Sequence, residues 1–330
     1  MAAPDRNLAL ELVRGTEAAS MAAGRWMGRG DKNSADGAAV HAMRSMLNTV
    51  SMDGTVIIGE GQKDRAPMLY NGEKLGNGQM PSVDIAVDPI DGTRLVSLGL
   101  PGAISVVAVS DRGTMYNPED LFYMNKIVTG PEAADVINIE ASVEENILNV
   151  AKCKQKAIED ITVVILDRPR HEDLISEIRK IGARIKMIPD GDIAGALLTC
   201  KAEQGMDLLM GIGGAPEAVI TACAMKALGG NMQCQIWARD VRDIAKAREK
   251  GIDLDAVLGL DDLVSSNNVF FAATGITDGE FLEGVRYQGS NICTSSIVIR
   301  SRSGTIRYVE GIHKLEKLLH ISDIDYLKGL

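Results

Sequence analysis

The chain is short of aromatic residues, cysteine and positive charge, and it has no long apolar run. Each shortage excludes something. Aromatics are 4% of the 330 residues, too few for a base-stacking or sugar-stacking platform. The five cysteines, Cys153, Cys200, Cys223, Cys234 and Cys293, are odd in number, widely spaced and without a C-x-x-C pair. That pattern gives neither a disulfide framework nor a zinc site, and it suits a reducing cytosol. The formal charge is −10, so the bulk field repels nucleic acid and anionic membrane. Asp5, Arg6, Glu11, Arg14 and Glu17 break any leader-like apolar core, and nothing approaches the ~20 apolar residues of a membrane span. The expectation is a soluble, cytoplasmic protein with no nucleic-acid and no membrane partner. A phosphate-bearing ligand would need its positive charge supplied locally.

What the chain does have is a 45% apolar fraction and 34 glycines, enough for a core and many tight turns. Its length predicts two domains. Its most informative stretch is Asp88-Pro89-Ile90-Asp91-Gly92-Thr93, which follows the strand-like run Val83-Asp84-Ile85-Ala86-Val87. Pro89 predicts a turn rather than a continued ladder. Gly92 permits a tight bend, and Thr93 stands where a helix could begin. Two carboxylates on a rigid turn with spare N–H groups suit a hard divalent cation and a phosphate. An ordinary Asp-rich turn capping a helix has the same composition.

Periodicity predicts helices over 7–23 and after Asp36, and strands at 56–58, 83–87 and 104–109. Asp111-Arg112-Gly113 reads as a hairpin-like turn. Beyond residue 160, strands at 161–166, 184–188 and 208–210 alternate with helices at 172–181, 193–200 and 216–228. A late hairpin is expected around Ser303-Gly304. The predicted class is α/β with an α+β N-terminal half, divided into domains 1–160 and 161–330.

Further carboxylates stand at element ends. Asp36 is a helix N-cap or a ligand. Glu60, between Gly59 and Gly61 after a strand, is a surface turn or a ligand. Asp64 lies near Lys63 and Arg65 in a loop, and Glu217 follows Gly211-Ile212-Gly213-Gly214-Ala215-Pro216. A first-turn Glu also stabilises a helix dipole. Together Asp36, Glu60, Asp88, Asp91 and Glu217 offer the hard oxygens that one or two Mg²⁺ or Mn²⁺ ions require. The basic complement is local: Lys32 before Asp36, and the forks of Arg168 and Arg170 after a strand. Asp190-Gly191-Asp192 either accepts sugar hydroxyls or caps the next helix. The 211–214 stretch lacks the G-x-G-x-x-G spacing and is read as a loop that brings N–H groups to a phosphate.

The hexapeptide at 88–93, with Ile58-Gly59-Glu60, resembles the signature of the lithium-sensitive, metal-dependent phosphomonoesterases that include inositol monophosphatases and fructose bisphosphatases. The Trp-Asp motif of inositol monophosphatases is absent. The 211–217 stretch is instead similar to class II, GlpX-type fructose-1,6-bisphosphatases. So are Gly28-Arg29-Gly30-Asp31-Lys32-Asn33, Ala66-Pro67-Met68-Leu69-Tyr70, Asp167-Arg168-Pro169-Arg170-His171 and Ala273-Thr274-Gly275-Ile276-Thr277. The resemblance spans about residues 7–313. It implies a layered α-β-α-β-α sandwich with the active site in a cleft between two domains, and hydrolysis of the 1-phosphate of fructose 1,6-bisphosphate in gluconeogenesis. Related alternatives are a sedoheptulose-1,7-bisphosphatase side activity or an inositol-phosphate-type monophosphatase. Position by position, Asp36, Glu60, Asp88, Asp91 and Glu217 match metal ligands, and Lys32, Asp64 and Thr93 match the catalytic group. Asp91, Gly92, Thr93, Tyr123, Arg168, Pro169, Arg170, Asp190, Gly191, Asp192 and Gly214 match substrate contacts. A homo-oligomer, dimer or tetramer, is implied as well. One departure is Gln62, where the family carries a second Glu after Gly61; it removes a local negative charge.

Overall fold

Residues 8–61, 68–118, 121 and 123–327 are described by the computed structural model. They fall into two units, one of Met1–Gly113 with Asn268–Leu330 and one of Thr114–Asn267. The first unit is discontinuous, with the second inserted after one of its strands. The division therefore does not run near residue 160. Strand–helix alternation marks local units well, but it carries no sign that the last strands return to the first sheet.

The first unit opens with α1 (Ala9–Gly24) and α2 (Lys32–Leu47), then β1 (Asp53–Ile58), β2 (Lys74–Leu75), β3 (Ser82–Asp91), α3 (Thr93–Leu98) and β4 (Ile104–Asp111). The inserted unit contributes β5 (Tyr123–Thr129), α4 (Val143–Lys154), β6 (Thr162–Leu166), α5 (Glu172–Ile181), β7 (Arg184–Ile188) and α6 (Asp192–Leu197). It continues with β8 (Leu208–Gly214), α7 (Ala215–Leu228), β9 (Asn231–Ile236), α8 (Val241–Glu249) and α9 (Leu260–Leu263). The chain then returns to the first unit through β10 (Phe270–Gly275), β11 (Arg286–Gln288), β12 (Asn291–Arg300), β13 (Thr305–Lys314) and α10 (Leu315–Ile321).

In the first unit an eight-stranded sheet runs β11-β12-β10-β4-β3-β1-β2, with β13 paired to β12. β1 and β3 are parallel and the other pairs antiparallel. α1 and α2 bury Leu12, Val13, Met43 and Leu47 with Ile85, Val87 and Val107 of the sheet. Small alanines let α1 be buried on nearly every side, which a helix of larger residues could not manage at normal packing density. In the second unit five strands run β7-β6-β8-β5-β9. Ile147, Val150, Ile175 and Ile178 of α4 and α5 cover Val163 and Ile165. The alternate residue Val164 meets Gly195 of α6 on the other face, as a period-2 strand requires. The mixed α/β class read from the sequence holds.

Three local expectations change. α2 begins at Lys32, with the Asp31 side chain accepting from Ser34 N at 3.0 Å, so Asp36 lies inside the helix and is not its cap. Pro89 does not end β3, which continues to Asp91 with its register against β4 shifted between Asp88 and Asp91; a bulge of this kind tolerates a residue without an N–H. After β4 there is no hairpin, because β4 pairs with β3 and β10 and the chain passes into the other unit.

Candidate active site

In the first unit, the end of β3 and the start of α3 form one polar corner. Asp88 Oδ1 accepts from Ile90 N at 3.0 Å, a local turn that fixes its carboxylate. Gly92 caps α3 at φ +98°, a left-handed conformation that disfavours any residue with a Cβ. Asp91 is 3% exposed. Thr93 Oγ1 donates to Asp36 Oδ1 at 3.3 Å, joining the second turn of α2 to the first residue of α3. Burial raises the Asp36 carboxyl above its usual range, against the pull of the Thr93 hydroxyl. A cation would reverse that shift by favouring the ionised form. Lys32, the first residue of α2, is exposed, as is Glu60 beyond β1. Asp64 lies outside the described residues, as does Gln62.

In the second unit the glycine-rich stretch is strand, not loop: β8 carries Gly211, Gly213 and Gly214 and pairs with β5 through Tyr123↔Gly214. Missing side chains are its use. A Cβ on Gly214 would lie 1.7 Å from Glu217 Oε2, and one on Gly213 would lie 2.0 Å from Asp192 Oδ2. The glycines therefore make room for two carboxylates. Lys126 of β5 is 3% exposed and its Nζ donates to Asp192 Oδ2 at 2.7 Å. Burial works against the Lys126 ammonium, but Asp192 and Glu217 outweigh it and hold its pKa above the usual value. Glu217 is pushed up by burial and by the Asp192 charge, with Lys126 opposing. Its Oε2 is buried and has no hydrogen-bond partner among the described residues. An unsatisfied buried carboxylate oxygen is costly, and a hard cation is the partner that would satisfy it.

The arginine loop is ordered by His171. The His171 ring accepts from Ile212 N at 2.8 Å through Nε2 and lies 2.7 Å from Leu166 O through Nδ1. Since an N–H must donate and a carbonyl accept, Nδ1 carries the proton; burial, which lowers the His171 pKa, agrees with the neutral ring. Arg170 donates to Ile212 O from Nε at 3.2 Å and Nη2 at 2.8 Å. Its guanidinium also lies 5.2 Å from the Tyr123 ring centroid, and Trp237 meets that ring edge-on at 6.1 Å. Arg168 holds Pro189 O at 2.6 Å and Asp190 Oδ1 at 3.0 Å, so Asp190 orients an arginine. Gly191 is the α6 N-cap and Asp192 its first residue, without a side-chain cap bond. A pocket of about 430 Å³ opens beside Asn125, Arg170, His171, Ile212 and Trp237.

Within each unit the expected residues thus gather: Asp36 with Thr93, and Tyr123 with Arg170. Among the described residues no three His, Cys, Asp or Glu side chains converge as a ready-made metal cluster. Sequence reasoning missed Lys126, whose strand it did not foresee. Its signal was a lone cation beside the apolar pair Ile127-Val128, which demands an acidic partner once buried.

Fixed carboxylates near strand and helix ends in a mixed α/β fold, with the Glu217 Oε2 atom unsatisfied, are the donors a metal-dependent hydrolase uses, and that is the class to which the chain's family belongs. The chain is a member of the family described as bacterial fructose-1,6-bisphosphatase, glpX-encoded, which it matches over residues 6–313. It is 46% identical over 325 residues to fructose-1,6-bisphosphatase 1 class 2 of Escherichia coli K12, covering 94% of this chain and 96% of that one. Fructose-1,6-bisphosphatases class 2 of Escherichia coli O6:H1 and Shigella flexneri share the same identity and coverage.

Proposed function

We propose that this chain hydrolyses the 1-phosphate of fructose 1,6-bisphosphate, releasing fructose 6-phosphate and phosphate. Kinship over nearly the whole of both chains carries this reading. Asp36, Glu60, Asp88, Asp91 and Glu217 hold Mg²⁺ or Mn²⁺; the unsatisfied Glu217 oxygen supports that role. Bound metal neutralises the phosphate dianion and lowers the pKa of water, the two things an unassisted phosphate monoester lacks.

The chain's own residues do the rest. Glu60 or Asp64, with Lys32 and Thr93, positions the attacking water and takes its proton. Thr93 is suited to this because its hydroxyl is already directed by Asp36. Arg170 and Arg168 receive the second, non-reacting phosphate, beside Tyr123 and Gly214, while Asp190 and Asp192 fix the loop and the strand that present them. Binding energy from that remote phosphate orients the reacting one. The enzyme works as a homo-oligomer.

Phosphate release is measured from fructose 1,6-bisphosphate, sedoheptulose 1,7-bisphosphate and inositol monophosphate, first with Mg²⁺ or Mn²⁺ and then with chelator. Fructose 1,6-bisphosphate is expected to be the preferred substrate, with activity lost on chelation. Faster release from inositol monophosphate, or turnover that survives chelation, overturns the reading.

A further inference from the structure

Leu69 is one of two residues other than glycine that hold a positive φ among the described residues, at +53°. A bulky side chain disfavours that left-handed conformation, and it persists only where the surroundings dictate it. Here three things do. The Leu69 side chain is fully buried in the core of the first unit. Its N–H donates to Glu73 Oε2. Its carbonyl accepts from Glu60 N at 2.9 Å. A glycine or asparagine would make the same turn at less cost, so a leucine clamped from both sides couples the core to Glu60.

Glu73 is the fixed end of that chain. It is 4% exposed, and its other oxygen, Oε1, accepts from Arg44 Nε at 2.6 Å. Arg44 belongs to α2, the helix that carries Asp36. The Glu73 segment is tied to β1 as well, since Val56 N donates to Glu73 O at 2.9 Å and Gly72 N to Val56 O at 2.7 Å. Gly59 leaves room for the contact with Leu69, because a Cβ there would collide with Leu69 O. Asn71 N donates to Gly61 O at 2.9 Å, so the backbone is gripped on both sides of the Glu60 side chain.

We propose that Glu73 is a positioning residue for the metal-dependent reaction. Through Leu69 it sets Glu60, and through Arg44 it references Glu60 to the Asp36 helix. This rests on Glu60 being a metal ligand, as assigned above. A buried carboxylate with one oxygen on α2 and the other on the turn that holds Glu60 does what outer partners of metal ligands do: it fixes a ligand's direction before the metal arrives. An ion pair serving stability alone would not require a left-handed leucine between it and Glu60.

Glu73→Gln keeps the shape, but a glutamine can accept from Leu69 or from Arg44 and not from both. Calorimetry of Mn²⁺ on the metal-free protein should show binding about tenfold to a hundredfold weaker, with kcat at saturating Mn²⁺ falling by a similar factor. KM for the bisphosphate should stay at its wild-type value. Hydrogen exchange should show the Glu60 amide losing protection while those of Ile85 and Val107 keep theirs. Should Glu73→Gln fail to fold, Gly59→Ala, which displaces Leu69 O and leaves the Arg44–Glu73 pair in place, should give the same losses. Glu60→Gln is measured alongside. Wild-type Mn²⁺ affinity in Glu60→Gln removes Glu60 from the ligands and overturns the reading on which the proposal rests. Weakened binding there, with wild-type binding in the folded Glu73 or Gly59 variant, overturns the positioning alone. Loss of protection across the whole sheet would overturn it too, by making Glu73 a stabiliser of the unit.

Discussion

Asp88 and Glu17 are both acidic residues set against the sheet of the first unit, and their surroundings give them opposite duties. Asp88 is held in place by the Ile90 N–H. Asp88→Asn keeps the shape and removes the charge, so turnover should fall by at least a thousandfold while thermal unfolding stays close to wild type; wild-type-like activity removes Asp88 from the metal ligands. Glu17 has no such purpose. Burial pushes its carboxyl up to about 7 from 4.5, with the Thr294 hydrogen bond and Arg14 only partly opposing. A raised folded pKa means that neutral Glu17 stabilises fully below pH 4.5 and that this is lost as pH rises through about 7. The loss is on the order of 3 kcal/mol. His313, whose pKa burial lowers, contributes with the opposite sign, losing stability as pH falls. Melting curves from pH 5 to 8 should therefore decline more steeply for wild type than for Glu17→Gln.

Elements, more than residues, determine what the sequence could reveal. The α5 and β7 boundaries were legible to the residue, because amphipathic period and alternation there are undisturbed. β8 was not fully legible: its apolar half read as strand and its glycine half as loop, since the reason for the glycines lies in Glu217 of α7 and Asp192 of α6. β5 was missed because it mixes Asn125 and Lys126 into an apolar run, and only the fold supplies Asp192 to pair the lysine. Lys126→Met leaves two carboxylates buried without their cation, so it should destabilise by roughly 3–5 kcal/mol, read as a lower urea midpoint. The motif residues were legible as a set, but the hydrogen bonds that orient them were not. Arg170 illustrates this, since its bonds to Ile212 O anchor it before any ligand arrives. Arg170→Ala should raise KM for the bisphosphate at least tenfold and change hydrolysis of a simple monophosphate little. Equal losses on both would remove Arg170 from the second-phosphate site.

At the scale of the molecule, the second unit is continuous in sequence, with its own sheet and core. A fragment of residues 114–267 should therefore unfold cooperatively on its own, checked by denaturant titration; a non-cooperative melt would show that it borrows stability from the rest. The first unit has no such independence, because β10 and β12, which complete the β4 side of its sheet, come after the insertion. That order has a consequence for biosynthesis. While the ribosome is still making the second unit, β4 is an open, largely apolar ledge (Ile104 to Val109 are buried when finished). It waits more than a domain's length of translation for its neighbour, at about 5–20 residues per second. Nascent chains stalled near residue 267 should hence be the species most dependent on chaperones, and a premature stop there more damaging than one after β13.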